Sequence, residues 1–222
     1  MTTTIPIIIA SGVDPTATGL AASLARPGGN VTGLTDFTAE LFGKRLGLLK
    51  EVVPNVSRFA FLNSATSVTG KSQLKDGQAT AQALGIKLQL VEVKTPNPDF
   101  EGAFRVMVKE RVGALITGSG TISSSLHRKR ILELVEQNRM PAIYPTVVWI
   151  DAGGLMYYGA NSPDLYRRAA IYVDKILKGA KPADLPIERP MKFELIISLI
   201  AAKKIGLTVP PNVLVRATRV IR

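Results

Sequence analysis

His127, the single histidine, lies in "SSSLHRKRIL" beside three cations and reads as a surface or structural residue. No cysteine is present and no G-x-S-x-G elbow occurs, so a nucleophile–histidine pair has few candidates and thiolate metal ligation has none. The acids near strand ends are Asp14 and Asp151. Glu40, Glu51, Glu133 and Glu136 fall on helical stretches with solvent-facing spacing. Carboxylate-pair or metal chemistry near Asp14 or Asp151 therefore stays open but has no motif behind it. "ITGSGTISS", residues 116–124, follows a strand and opens a helix, with G-x-G but no third glycine and no P-loop lysine. Its backbone N–H groups and hydroxyls suit a carboxylate or another anion, or simply cap the helix. "RPGGNVTG" (26–33) precedes its strand instead, and reads as a helix-stop turn.

The elements that position these residues follow from hydrophobic period. Apolar runs at 5–10, 30–35, 58–63, 87–93, 113–118, 141–146 and 153–159 read as strands. Between them, helical patterns occur near 15–25, 39–53, 67–84, 98–111, 123–138 and 162–178. Asp36, Ser67, Asp99, Ser123 and Ser162 stand where N-caps belong, and Gly85 and Gly179 where helices end. Runs such as "IPIII" and "GALIT" are continuously apolar, the mark of parallel strands covered on both faces. Strands alternating with helices give an α/β fold. After "KGAKPADLPIERP" (178–190), an extended connection, "FELIISLIAAKKIGL" (193–207) reads as a short strand entering a short helix.

Ligands of open parallel sheets sit beyond the carboxyl ends of the strands. The residues there are Ser11, Gly12 and Asp14; Asn63, Ser64 and Thr66; Gly118, Ser119 and Thr121; Tyr144 and Thr146; Tyr158, Asn161 and Ser162. This set offers hydroxyls, amides and phenols, which suit reversible binding of a small polar ligand. Each residue taken singly also fits an ordinary loop or capping role. The formal charge of +11 gathers at Arg128, Lys129 and Arg130 and at Lys203, Lys204, Arg216, Arg219 and Arg222. Neither cluster interleaves with aromatics, so nucleic acid is not an expected partner; a solvated surface or an acidic docking partner is. No apolar run approaches the roughly 20 residues of a membrane span, so no membrane insertion is expected.

The segments "ARPGGNVTG", "AQALGIKLQLVEV", "PAIYPTVVWIDAGGLMYYGAN" and "KGAKPADLPIERPMKFELIISLIAAKKIGL" carry a resemblance. In this order, over essentially the whole chain, the sequence resembles ABC transporter substrate-binding proteins of the tryptophan and tyrosine type. That resemblance implies a periplasmic-binding-protein type I fold: two Rossmann-like lobes with parallel sheets, joined by a hinge around a ligand cleft. It implies 1–35 and 155–222 as a partial first lobe, truncated at its start, and 55–145 as a complete second lobe. Segments 36–54 and 146–154 would cross between lobes. It makes Ser11, Asp14, Asn63, Ser64, Gly118, Ser119, Tyr144 and Tyr158 the expected ligand-binding residues. The implied function is a periplasmic solute-binding component that meets an ABC permease, with a small-molecule ligand, no cofactor, no metal and no catalysis. No export signal opens the sequence. "LNSATSVTG" (62–70) departs from the asparagine- and proline-rich loop of many members, so the resemblance implies no particular ligand. The alternatives are a small-molecule-processing enzyme or a ligand-sensing regulatory domain on the same scaffold.

Overall fold

The computed structural model describes residues 2–12, 14–16, 18–36, 39–67 and 70–222. The chain forms two compact units and passes between them three times. Unit 1 holds residues 1–38 and 160–193; unit 2 holds 39–159 and 194–222.

Unit 2 is built on a sheet of seven strands. In chain order its elements are helix α1 (Ala39–Val52), strand β3 (Arg58–Ser64), α2 (Gly70–Ala83), β4 (Lys87–Val93), α3 (Phe100–Lys109) and β5 (Ala114–Thr117). A 3-10 turn (Gly120–Ser123), α4 (Ser125–Gln137), β6 (Ala142–Tyr144), α5 (Val148–Asp151) and β7 (Met156–Ala160) follow. After unit 1's long helix α6 (Ser162–Leu177), the chain returns with β8 (Phe193–Ser198), α7 (Leu199–Lys204), α8 (Pro211–Leu214) and β9 (Arg219–Ile221). The strand order is β4-β3-β5-β6-β7-β8-β9. The registered pairs β3–β4, β3–β5, β5–β6, β6–β7 and β8–β9 are parallel. Parallel strands covered on both faces must be apolar throughout. Accordingly Phe59, Ala60, Phe61 and Leu62 of β3 are all completely buried.

Period two divides those strands between two cores. Phe59, Phe61, Ile116 and Ile143 face one side with Phe42, Leu46 and Leu49 of α1. Ala60, Leu62, Leu115, Ala142 and Tyr144 face the other with Phe104 and Met107 of α3 and Ile131 and Val135 of α4.

Unit 1 contains β1 (Ile7–Ile9) and β2 (Val31–Gly33), paired in parallel as Ile7↔Val31, Ile8↔Thr32 and Ile9↔Gly33. Leu34, Ala160, Leu165, Ala169 and Tyr172 form its core. The second strand is tied onward by Thr32 Oγ1 donating to Leu185 O at 2.7 Å, and by a bridge from Leu34 to Glu188. A polar network joins α6 to the segment after it. Glu188 accepts from Tyr172 Oη at 2.8 Å and pairs with Arg168, while Asp164 accepts from Lys192 Nζ at 2.7 Å.

Three expectations need correction. The helix expected near 15–25 is a series of turns among its described residues. Pro15 and Gly19, the latter at φ +71°, break a pattern whose apolar spacing is too short to compensate. Residues 194–222, expected with the first lobe, lie in unit 2, where β8 and β9 extend the seven-stranded sheet. The strand "RVI" has three residues, one of them charged, so its pattern gives little sign of it, yet it pairs with Ile196–Ser198. The helices placed at 36–54 and 146–154 as crossovers, α1 and α5, also belong to unit 2. Of the expected caps, Asp99 accepts from Gly102 N at 2.7 Å as anticipated. The cap of α4 is Ser124, one residue after the expected Ser123, and that of α6 is Asn161, one residue before the expected Ser162. Residues 37–38 and 68–69, around the expected starts of the helices following Asp36 and Ser67, lie outside the described residues.

Candidate functional site

The C-terminal ends of β3, β5 and β6, three adjacent strands, concentrate an unusual feature. Asn63 Oδ1, Thr117 Oγ1, Tyr144 Oη, Thr146 Oγ1 and Trp149 Nε1 are buried polar atoms without a hydrogen-bond partner among the described residues. Asn63 is the penultimate residue of β3, Thr117 ends β5, Tyr144 ends β6, and Thr146 and Trp149 follow within five residues. A buried polar group without a partner costs about 1–3 kcal/mol, so native structures rarely leave several together. Groups of this kind are ones that a ligand or ordered water would satisfy.

Asn63 is held there by its neighbours. It is 1% exposed. A Cβ placed on Gly118 would overlap Asn63 Oδ1, and one placed on Gly70 would overlap Asn63 Nδ2. Only glycine at both positions leaves the amide its present place. Gly118 also donates its N–H to Leu62 O at 2.8 Å, which fixes the start of the loop. Ser119 beyond it is exposed, extended, and makes no side-chain capping bond to the 3-10 turn it precedes. Its hydroxyl is therefore available at the strand end.

Ser64 plays a different part. Its hydroxyl lies 2.9 Å from Thr66 Oγ1 and 3.3 Å from Thr95 Oγ1, and those two threonines lie 3.1 Å apart. This triad of hydroxyls ties the loop after β3 to the loop after β4. Ser64 thus shapes the site, with its own hydrogen bonds already made inside the chain.

The two tyrosines lie apart from these groups. Tyr144 is completely buried and stacks on Trp149 with ring centroids 4.6 Å apart at 13°. Its position in the alternation sends it to the α3–α4 side of the sheet, with Leu115 and Ala142. Burial pushes its phenol well above the ordinary value, so it stays protonated. Tyr158 is half-buried and borders a recess of about 370 Å³ with Lys44, Leu48, Leu195 and the Glu51–Arg216 ion pair. Neither joins Asn63 and Ser119.

In unit 1, Ser11 Oγ donates to Asp36 Oδ2 at 2.6 Å, and Gly12 N–H donates to Asp36 Oδ1 at 2.9 Å. One carboxylate after β2 thus clasps the loop after β1. Asp14 accepts from Thr16 N and Thr16 Oγ1 at 2.9 and 2.6 Å, an Asx turn. Ser11 and Asp14 do share one strand-end loop, but Asp36, read from sequence as a helix cap, is what organises it.

Sequence reasoning also missed Arg45. It is 7% exposed, donates from Nε to Tyr158 O at 2.8 Å, and reaches Pro145 O at 3.4 Å. Its guanidinium therefore joins the residue after β6 to the middle of β7. The signal was present in the spacing: Phe42, Arg45, Leu46 and Leu49 fall on one face of α1, so an arginine stands on the apolar stripe.

The cation that sequence placed beside His127 is accounted for locally. His127 Nδ1 lies 3.0 Å from Thr121 O, and its ring meets Phe100 edge-on at 5.4 Å. Arg130 donates to Glu101 and Glu133 at 2.6 and 2.8 Å. That hydrogen bond holds the Glu101 carboxyl below its ordinary value. Among the described residues, no three of histidine, cysteine, aspartate and glutamate gather as a metal site would require, and no helix is long and apolar enough to cross a membrane.

Comparison with known proteins bears on this geometry. A curated tyrosine-binding protein of Clostridioides difficile is 24% identical over 194 residues, covering 87% of this chain. The chain spans 55% of that relative's length. The crystal structure of an ABC domain in complex with L-Trp from Streptococcus pneumoniae superposes with a TM-score of 0.88 at 28% identity, covering 99% of this chain and 73% of that one. A conserved domain protein from Vibrio cholerae gives a TM-score of 0.86 at 27% identity, covering 99% and 72%. The α/β architecture with parallel strands is the periplasmic-binding-protein type I fold of these neighbours. The family described as ABC transporter substrate binding protein matches residues 1–221. The chain belongs to the ABC transporter substrate binding protein family.

Proposed function

We propose that this chain reversibly binds a small, amino-acid-like solute for an ABC importer, using the strand-end groups of unit 2, and makes or breaks no bond. The observation that carries this reading is the pair of unpartnered buried polar atoms at the ends of β3 and β5, Asn63 Oδ1 and Thr117 Oγ1, with the exposed Ser119 following in the loop after β5. Neutral donors and acceptors gathered without a working acid, base or nucleophile fit binding better than turnover. Asn63 Oδ1 is an acceptor, which suits an ammonium or amide N–H of the ligand. The Ser119 hydroxyl and the backbone N–H groups of residues 119–121 suit a carboxylate, Gly118 N–H being taken by Leu62 O. Ser11 and Asp14 of unit 1 are proposed as further contacts, on the strength of their shared strand-end loop and the order imposed by Asp36. The printed descriptions of relatives, one tyrosine-binding and one in complex with L-Trp, support an amino acid as the class.

In this reading the ligand favours whichever conformation gives it more contacts, and that conformation is what a membrane permease reads. Such work belongs outside the cytoplasm, where the family acts. Isothermal titration of the chain with L-tyrosine, L-tryptophan and small aliphatic amino acids tests it. Saturable binding by at least one, weakened about tenfold by Asn63→Leu, is expected. A folded protein that binds none of them loses this function.

A further inference from the structure

The two basic clusters singled out in the sequence meet in unit 2, at a recess whose lining holds neither Asn63 nor Ser119 and meets the strand-end groups at Tyr144 alone. Arg128 and Lys129 of α4 and Lys204 of α7 line one recess of about 440 Å³. That volume falls within the range of small-molecule sites. Leu132 and Val135 of α4, with Leu155, Ala201 and Ile205, give it an apolar lining.

Its charges are unequal. Lys204 is neutralised by Glu136 at 3.0 Å, and Glu133 by Arg130 at 2.8 Å. Arg128 donates only to a neutral carbonyl, Ser123 O, at 2.9 Å. Lys129 is exposed and has no acidic partner among the described residues. Both acids at the recess are thus taken by other cations, and two cations remain uncompensated beside an apolar surface.

The inner wall is Tyr144, whose hydroxyl has no partner. Gly153 and Gly154 flank it. Gly153 has φ +104°, and a Cβ on Gly154 would come within 2.8 Å of the Tyr144 ring. Glycine is required where this turn lies against the ring, and it keeps the recess from being filled by side chains.

We infer that this recess binds a small amphipathic carboxylate: an apolar body against Leu132, Leu155 and Ala201, and its anionic group at Arg128 and Lys129. The site is distinct from the strand-end site, sharing none of Asn63, Gly118 or Ser119. Occupancy would join α4, the 152–155 turn and α7.

Titration of the chain with phenylacetate, followed by ligand-observed NMR, tests it, with phenethylamine as the cationic counterpart. Saturable binding of phenylacetate in preference to phenethylamine is expected. Lys129→Glu, an exposed change that leaves folding intact, should weaken phenylacetate by about five- to tenfold. Ala201→Trp should abolish it by filling the recess, while Ser119→Trp, at the strand end, should leave it unchanged. Amino-acid binding should persist in Lys129→Glu. No saturable binding, no discrimination against phenethylamine, or loss in Ser119→Trp with retention in Lys129→Glu would overturn the assignment. Failure of amino-acid titrations leaves this result untouched, since the two sites share no tested residue.

Discussion

Asn63 and Gly118 show how one side chain and one missing side chain make a site together. The amide stays where it is because Gly118 and Gly70 leave it room. Gly118→Ala must move either the loop or Asn63. Overpacking of this kind costs about 1–3 kcal/mol, readable as a lower urea midpoint, and should weaken solute binding as well. Arg45 is the second residue on which the site leans. Removing a buried guanidinium that satisfies main-chain carbonyls should cost about 2–4 kcal/mol in Arg45→Ala by denaturant unfolding. Arg45→Lys should recover only part of this, because an ammonium lacks the planar fork that spans two carbonyls. Tyr144 marks the limit of reading residues from sequence. It stands at a strand end, as a ligand contact should, but its parity sends it into the core against Trp149. Parity is visible only when the start of the strand is known to the residue, and β6 has just three.

At the scale of elements, length and repetition decided what the sequence disclosed. The strand at 87–93 was legible to the residue, because "KLQLVEV" is long and bounded by turn signals. Helices α1 to α4 were legible as helical patterns, whereas α5 and α8, of four residues each, are too short to carry an apolar stripe and were not. The stretch 15–25 was misread: four alanines and two leucines imitate a stripe, but Pro15 and Gly19 divide it into turns. The C-terminal strand was missed because it is three residues long and opens on an arginine. The polar network joining α6 to the following segment yields a prediction at this scale. The hydrogen bond from Lys192 holds the Asp164 carboxyl below its ordinary value of 3.8. Burial pushes the Glu188 carboxyl up, but hydrogen bonds from Arg168 and Tyr172 more than offset it, and its value too is lowered. Carboxyls depressed in the folded state contribute stability above their unfolded values, and that stability disappears as pH falls through the folded values. The unfolding midpoint of unit 1 should therefore drop on acidification below about pH 4. Lys192→Met should be less stable than the parent at about pH 7, and the difference should close toward about pH 2, as read by circular dichroism.

For the whole molecule, family membership organises what the residues do separately. The α/β class, the strand-end rule and the resemblance all point toward solute binding from the sequence alone. The assignment of residues 194–222 depended instead on long-range pairing, which local patterns do not encode. The orphaned atoms after β3, β5 and β6 were likewise invisible in the sequence, because lacking a partner is a property of the packed state. They are also the strongest reason to expect a ligand. A ligand bound only by the folded chain at 100 times its dissociation constant adds about 2.7 kcal/mol of stability. For a protein of this size that corresponds to a rise in melting temperature of about 5–10 °C.

The most direct measurement is calorimetric titration of the folded chain with a panel of amino acids, with the recovered ligand analysed afterward. The account predicts one-to-one saturable binding of at least one amino acid, the matching rise in melting temperature, and recovery of that amino acid chemically unchanged. A cooperatively folded chain that takes up no amino acid, or one that returns an altered molecule, would contradict it.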